Sequence, residues 1–396
     1  MKTKNISLYS LIAMIVVTTL CSCKKKAETI DNYFLNYKIP EVPVTSDYTV
    51  GAFYYTFTAF NANIKDTPTV GKYSASTTGI IPANVIQTHI DQAAAARVDY
   101  FIFSLHSPDL DFNNYKIDSV SLGCYLSAPN ASKVNFAVSY NLSQGTLGIT
   151  DAGNPDSFGH NRGIPIEANA TKLAGFYKDF IRLAYYMKMP NYQKYNGKPI
   201  LIINNAYELN SNMDPNNPGS DAPLYAQIRK ELSALGLDVY IIGMQANWSV
   251  PNNYFFRYQN CLDALYEANM ADTKNVLDRY YIFGPMVDQN FAYWKQELES
   301  WPAGGLTPGQ NKMQFVPCIQ AGYNYQITAP ASTSPSIVRS ADWYRTYTNI
   351  AKRNASGKLV LIDSWNNFSV DTQIEPTLEY GTTYTDITRQ EFKVSQ

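Results

Sequence analysis

The chain lacks the residues on which several functional classes depend. Five cysteines and three histidines in 396 residues, with no CxxC pair and no HExxH spacing, argue against a zinc site. Cys124, Cys261 and Cys318 are far apart and odd in number, so free thiols are expected rather than a disulfide framework. Neither charge sign is in excess, with 32 Lys plus Arg against 33 Asp plus Glu. That removes the basic field a nucleic-acid partner needs. No GxGxxG follows the first apolar strand, which argues against a dinucleotide-binding sheet. Without an internal repeat, a Pro/Ser-rich linker or a composition break, one elaborated domain is the simplest organisation. Neither a metal nor a cofactor is expected.

What is abundant is polar and neutral. The chain holds 31 Tyr and 35 Asn. Amides hydrogen-bond sugar hydroxyls and aromatic rings cover sugar ring faces, so such a surface suits carbohydrate. The same composition is also common in envelope proteins generally.

The N-terminus reads as a targeting segment. Lys2 and Lys4 precede an apolar stretch, residues 6–20, that is too short for a full membrane span. Leu20-Cys-Ser-Cys23 resembles a bacterial lipobox. The expected organisation is a lipoprotein signal peptide at 1–22, a lipid anchor at Cys23, a polar tether at 23–43 and a domain at 44–396. An uncleaved signal anchor is the alternative. A lipoprotein of this kind is expected at the bacterial outer membrane, periplasmic or surface-facing, touching the membrane through its anchor alone.

Residues 23–396 exceed the roughly 250 of a minimal (β/α)8 barrel and suit one with insertions. Apolar runs predict strands at 49–57, 98–105, 134–140, 199–204, 237–244, near 264–266, at 313–319 and at 359–363. Helical periodicity predicts helices at 84–97, 171–188 and 340–353. Another is opened by Asp221 and Pro223 and stopped by Gly236. This alternation fits a parallel sheet with crossover helices, and eight strands favour closure into a single α/β TIM barrel.

The chain is organised around its last strand. Leu359-Val-Leu-Ile362 is wholly apolar, as in a strand buried on both faces, and Asp363-Ser-Trp-Asn-Asn367 follows at once. Barrel active sites are built from residues just past the C-terminal ends of strands.

Ser364-Trp-Asn-Asn-Phe-Ser-Val-Asp-Thr-Gln-Ile-Glu-Pro376 resembles the last-strand motif of the glycoside hydrolase family 71/99-like proteins, endo-α-mannosidases among them. The family pattern is approximately Ser-(Phe/Trp)-Asn-Glu-Trp-His-Glu-Gly-Thr-Gln-Ile-Glu-Pro, and it aligns without a gap. Gly51-Ala-Phe-Tyr-Tyr55, Tyr195-Asn-Gly-Lys-Pro-Ile-Leu201, Asp263-Ala-Leu-Tyr266, Ala321-Gly-Tyr-Asn324 and Tyr380-Gly381 are similar to further family stretches in the same order. The resemblance implies a glycosidase-like barrel with an oligo- or polysaccharide partner. Its departures are specific: the two family catalytic glutamates fall on Asn367 and Val370, and the family glycine on Asp371. In the family, one glutamate is thought to deprotonate the sugar 2-hydroxyl while the other protonates the leaving group. An amide and an isopropyl group do neither, and loss of a general acid or base costs about 10²–10⁴-fold each.

Strand ends then supply the candidate site. Tyr54, Tyr55, His106 and Tyr140 are expected to contact substrate from the first three strands. Asn205, Gln245, Trp248 and Tyr323 follow from the next four, and Trp365, Asn366 and Asn367 from the last. Ser104, Asn141, Asn204 and Asn247 also end strands. Glu208, Glu267 and Asp371 are the candidates for relocated catalytic carboxylates, each weighed against a structural role, and Glu375 is expected to satisfy backbone groups of the last loop. Three readings stay open: a lipid-anchored carbohydrate-binding protein on a degenerate barrel, with Trp365, Tyr54, Tyr55 and Trp248 as stacking platforms; an active hydrolase or lyase on α-linked, mannan-like glycans; and a scaffold without a sugar site.

Overall fold

The computed structural model describes residues 29–56, 60–75, 77–147, 149, 163–246, 248–268 and 283–394. The leader with Cys23, together with Phe57, His160 and Asn247, lies outside the described residues. Met1–Lys38 and Ile39–Gln396 are separate units. The described part of the first holds a short helix, Ile30–Asn36, whose N-cap Thr29 side chain accepts from the Asn32 amide. In the second unit the Asn349 side chain donates to the Pro40 carbonyl and accepts from the Val42 amide, each at 2.8 Å.

Eight parallel strands make the barrel wall: β1 Thr49–Tyr54, β2 Tyr100–Leu105, β3 Asn135–Asn141, β4 Lys198–Asn204, β5 Tyr240–Gln245, β6 Ala264–Glu267, a split β7, and β8 Leu359–Ile362. Each pairs with the next in sequence, and β8 pairs with β1 through Thr49↔Leu359 to Ala52↔Ile362. The split strand closes the ring. Gln314–Phe315 pairs with β6, and Cys318–Ile319 pairs with β8. Pro317 between them has no N–H to donate, so a continuous ladder cannot form there. Its carbonyl still accepts from Leu361 at 2.9 Å, and the Val316 amide reaches Leu265 at 3.0 Å. Inside the wall a Cβ on Gly51 would collide with the Tyr100 ring, which makes room for that ring the reason for a glycine in β1.

Helices α1 Ala83–Ala95, α2 Phe112–Leu126, α3 Ala170–Met187, α4 Ala222–Ala234, α5 Phe283–Leu298, α6 Ala341–Asn354 and α7 Thr383–Phe392 pack outside. Side-chain caps start three of them: Asp111 for α2, Asn169 for α3 and Ser340 for α6. Asp221 precedes α4 as expected but makes no capping bond. Both its oxygens are buried without a hydrogen-bond partner among the described residues, and burial pushes its carboxyl up to about 8. Gly236 ends α4 at φ +79°, where the Leu237 amide reaches back to the Leu232 carbonyl. Cys124, Cys261 and Cys318 are free.

Candidate functional site

A strand with both faces buried still points alternate side chains in opposite directions. In this barrel the inward set at the C-terminal strand ends is Phe53 and Tyr55 of the first strand, Ser104 of β2, and Ser139 and Asn141 of β3. Asn204, Met244, Tyr266 and Asp363 continue the lining from β4, β5, β6 and the residue after β8. They surround a cavity of about 130 Å³, below the 300–1,000 Å³ usual for a small-ligand pocket. These strand ends therefore form the floor of a site. Phe53 packs against Tyr266 with centroids 5.8 Å apart. The Tyr55 hydroxyl hydrogen-bonds the Asp363 carboxylate, and burial pushes Asp363 up to about 6 against that bond. Asp363 Oδ1 is sealed from solvent without a hydrogen-bond partner among the described residues. The floor thus offers amides, hydroxyls, aromatic rings and the carboxylates of Asp363 and Asp118.

Behind the first strand lies a second polar system, wholly structural. The Tyr54 hydroxyl meets His89 Nδ1 at 2.8 Å, and His89 Nε2 meets Glu375 Oε1 at 3.0 Å. Tyr73 donates to Glu375 Oε2 at 2.6 Å, and Asn366 Nδ2 donates to Tyr73 at 3.1 Å. Asn366 also clamps the Tyr55 backbone, accepting from its N–H at 2.7 Å and donating to its C=O at 2.9 Å. Glu375 therefore satisfies side chains of α1 and the first loop, not the backbone groups expected for it. This network fixes the last loop onto β1.

No protein-family model matches the sequence, and no curated protein matches it either. Solved structures do match. A structure described as a glycoside hydrolase-like protein superimposes with a TM-score of 0.74 at 28% identity, over 92% of this chain and 99% of that one. The family 99 endo-alpha-mannosidase from Bacteroides thetaiotaomicron, in complex with bis-tris-propane, superimposes at 0.57 and 16% identity, over 88% and 97%. This chain has a family 99-like barrel fold.

One backbone angle ties the family 99-like motif to the structure. Asp371 sits in the family's glycine column and has φ +62°, the left-handed region that glycine adopts freely and Asp tolerates better than most residues. Asn367 is half-buried, its backbone N–H donating to Ser364 Oγ at 2.7 Å. Val370 packs on the core, and its carbonyl accepts from Asn324. Neither lines the cavity.

Most of the expected contact residues prove to be elsewhere. Tyr55 lines the floor of the family 99-like barrel, and so do Ser104, Asn141 and Asn204. Tyr54 borders the cavity with its hydroxyl held by His89. Trp365, expected as a stacking platform, is 0% exposed and packs edge-on against Phe101 and His89. Asn366 is buried in the clamp. Gln245 points outward and accepts from Tyr258 at 2.6 Å. Trp248 packs towards Phe283, with its carbonyl held by Asn290 and Trp294. Tyr323 is buried with its backbone bridged to Ile337. Asn205, at φ +56°, ties its amide to the Leu142 carbonyl. His106 and Tyr140 open on a different cleft.

The three candidate carboxylates are also displaced. Glu267 alternates with the inward Tyr266, so it faces Tyr347 and Cys318 in the outer layer, buried with both oxygens unpartnered among the described residues. Burial pushes its carboxyl well up. Asp371 pairs with Arg339 at 3.4 Å, and Arg339 also binds Asp66. Glu208 sits half-exposed in the turn Ala206–Glu208, off the cavity lining. Sequence reasoning overlooked Phe53, Ser139, Met244, Tyr266 and Asp363. Only Asp363 carried a legible signal, as the first polar residue after an apolar run.

Proposed function

We propose that this chain is a carbohydrate-binding protein whose glycan sits on the floor of the barrel mouth, held at the bacterial envelope by a lipid on Cys23. The observation that carries the reading is the lining itself. Asn141, Asn204, Ser104 and Ser139 offer neutral donors and acceptors beside Phe53 and Tyr55, and of the two lining carboxylates, Asp363 and Asp118, Asp118 is held by His106 at 2.6 Å. Two-carboxylate hydrolysis requires a pair roughly 5–10 Å apart across the scissile bond. Glu208, Glu267 and Asp371 do not form that pair. The endo-alpha-mannosidase neighbour and the glycoside hydrolase-like neighbour support carbohydrate as the ligand class.

A second reading rests on Asp363 alone. A carboxyl held near 6 and hydrogen-bonded to a tyrosine is poised to protonate a leaving group, which favours a relocated acid on α-linked, mannan-like glycans. Screening the purified chain on mannan and α-glucan oligosaccharides for binding and for product release separates the two. The binding reading expects saturable binding with unchanged oligosaccharide. Product release that is abolished by Asp363→Asn would replace it with the hydrolase or lyase.

A further inference from the structure

A second cleft opens on the outer face of the barrel wall. It lies between α2 and α3 and encloses about 470 Å³, within the range of sites that hold small ligands. Tyr140 reaches it from the side of β3 opposite Ser139 and Asn141, which face the barrel mouth. Tyr115 comes from α2, and Tyr185 and Tyr186 come from the last turn of α3. His106 follows β2.

The charged groups of this cleft are already paired with one another. Arg182 Nη1 holds Asp179 at 2.9 Å, and Arg182 Nη2 holds Asp109 at 3.0 Å. Lys178 also lies 3.6 Å from Asp109. Asp179 accepts in addition from the Tyr140 hydroxyl at 3.0 Å. His106 Nδ1 meets Asp118 at 2.6 Å, and Asp118 takes the His106 backbone amide as well. An anion would have to strip Arg182 from two carboxylates, and a cation would find each carboxylate capped. The ligand that fits is uncharged.

What remains open to a ligand is aromatic and hydroxylic. Tyr185 is 69% exposed, and its ring meets the half-buried Tyr186 edge-on at 5.3 Å. Burial pushes Tyr186 up, with the neighbouring hydroxyls of Tyr115 and Tyr185 adding to it. The three phenols are thus grouped, and none has a hydrogen-bond partner among the described residues. His106 keeps Nε2 for an incoming hydroxyl, because Asp118 fixes the other ring nitrogen. Rings for the apolar face of a pyranose, with hydroxyl partners beside them and no free charge, are what a neutral sugar requires.

We infer that the cleft between α2 and α3 is a second binding site for neutral oligosaccharide, with Tyr185 as its stacking platform and His106 as its polar anchor. The linings of the cleft and the barrel mouth have no residue in common, although Asp118, which holds His106, also lines the mouth. Two sites on one chain would let it hold a polysaccharide at two points, raising avidity without a new contact.

Titration of the purified chain with α-mannotetraose, maltotetraose and cellotetraose, followed by NMR of the amides around each site, tests this. Tyr185→Ala, a change at an exposed position, is expected to weaken the cleft response about tenfold. The mouth response should stay within about twofold of its original affinity, since Tyr185 does not line the mouth. His106→Ala should weaken the cleft likewise, and Asn204→Ala should affect the mouth alone. Cleft binding that persists while the mouth binds nothing supports this inference and removes the mouth reading. Isotherms unaltered by Tyr185→Ala for all three sugars would overturn the inference. So would a cleft that responds to a proline-rich decapeptide and to none of the sugars.

Discussion

The hydroxyl of Tyr55, at the end of the first strand, hydrogen-bonds the carboxylate of Asp363, at the end of the eighth. The seam between β1 and β8 thereby carries one of the two acidic groups on the described mouth lining; the other, Asp118, is held by His106. Because Asp363 ionises near 6, it is a hydroxyl donor below that pH and purely an acceptor above it. Glycan binding in the mouth is expected to tighten as pH rises through about 6. The dependence should flatten in Asp363→Asn. Binding constants measured at a series of pH values check this, and an equal pH dependence in the variant would count against a role for Asp363.

Asp221 gives a stability prediction with a defined sign. Its folded carboxyl ionises near 8, above the unfolded value of about 3.9, so the folded state binds the proton more tightly. The resulting stabilisation is complete below about pH 4 and is lost as pH rises through about 8. Asp221→Asn should remove this part of the decline. Thermal unfolding of both proteins across that window is the check.

Trp365→Ala is expected to cost about 3–5 kcal/mol, the usual penalty for deleting a large buried aromatic side chain. It is a core residue beside Phe101 and His89. The measurement is denaturant unfolding. A variant with native stability and weakened glycan binding would instead restore Trp365 as a surface platform.

Glu375→Ala leaves His89 Nε2 and the Tyr73 hydroxyl without their acceptor in a site that water does not reach. Each buried group left unpaired costs about 1–3 kcal/mol, so a loss of several kcal/mol is expected. Glu375→Gln, which keeps an acceptor, should recover part of it. Unfolding free energies of the two variants decide whether the network acts through hydrogen bonding.

The barrel was legible in the sequence because apolar runs and helical periodicity register burial, and burial is what a parallel sheet imposes. Helix α2 was not, because its buried face includes Asp118 and Ser121 and so has little apolar contrast. The site was legible only to the level of strand ends. Which of two neighbouring residues faces inward depends on pleat parity, and a strand apolar on both sides carries no mark of it. Met244 and Gln245, and Tyr266 and Glu267, are such neighbours, and in each pair the structure picks one for the mouth. At β8 the polar Trp-Asn-Asn run drew attention past Asp363. Trp365 and Asn366 are polar or amphipathic because they close a buried joint with β1.

The central claim is that the neutral amides of the barrel floor hold a glycan, and one titration tests it most directly. Asn141→Ala and Asn204→Ala, combined in one chain, remove two amides that each contribute about 1 kcal/mol when hydrogen-bonded. Calorimetric titration with the tightest-binding oligosaccharide of the panel should show affinity for the mouth reduced at least about tenfold, with the fold unchanged by circular dichroism. Undiminished affinity in that double variant would contradict the account.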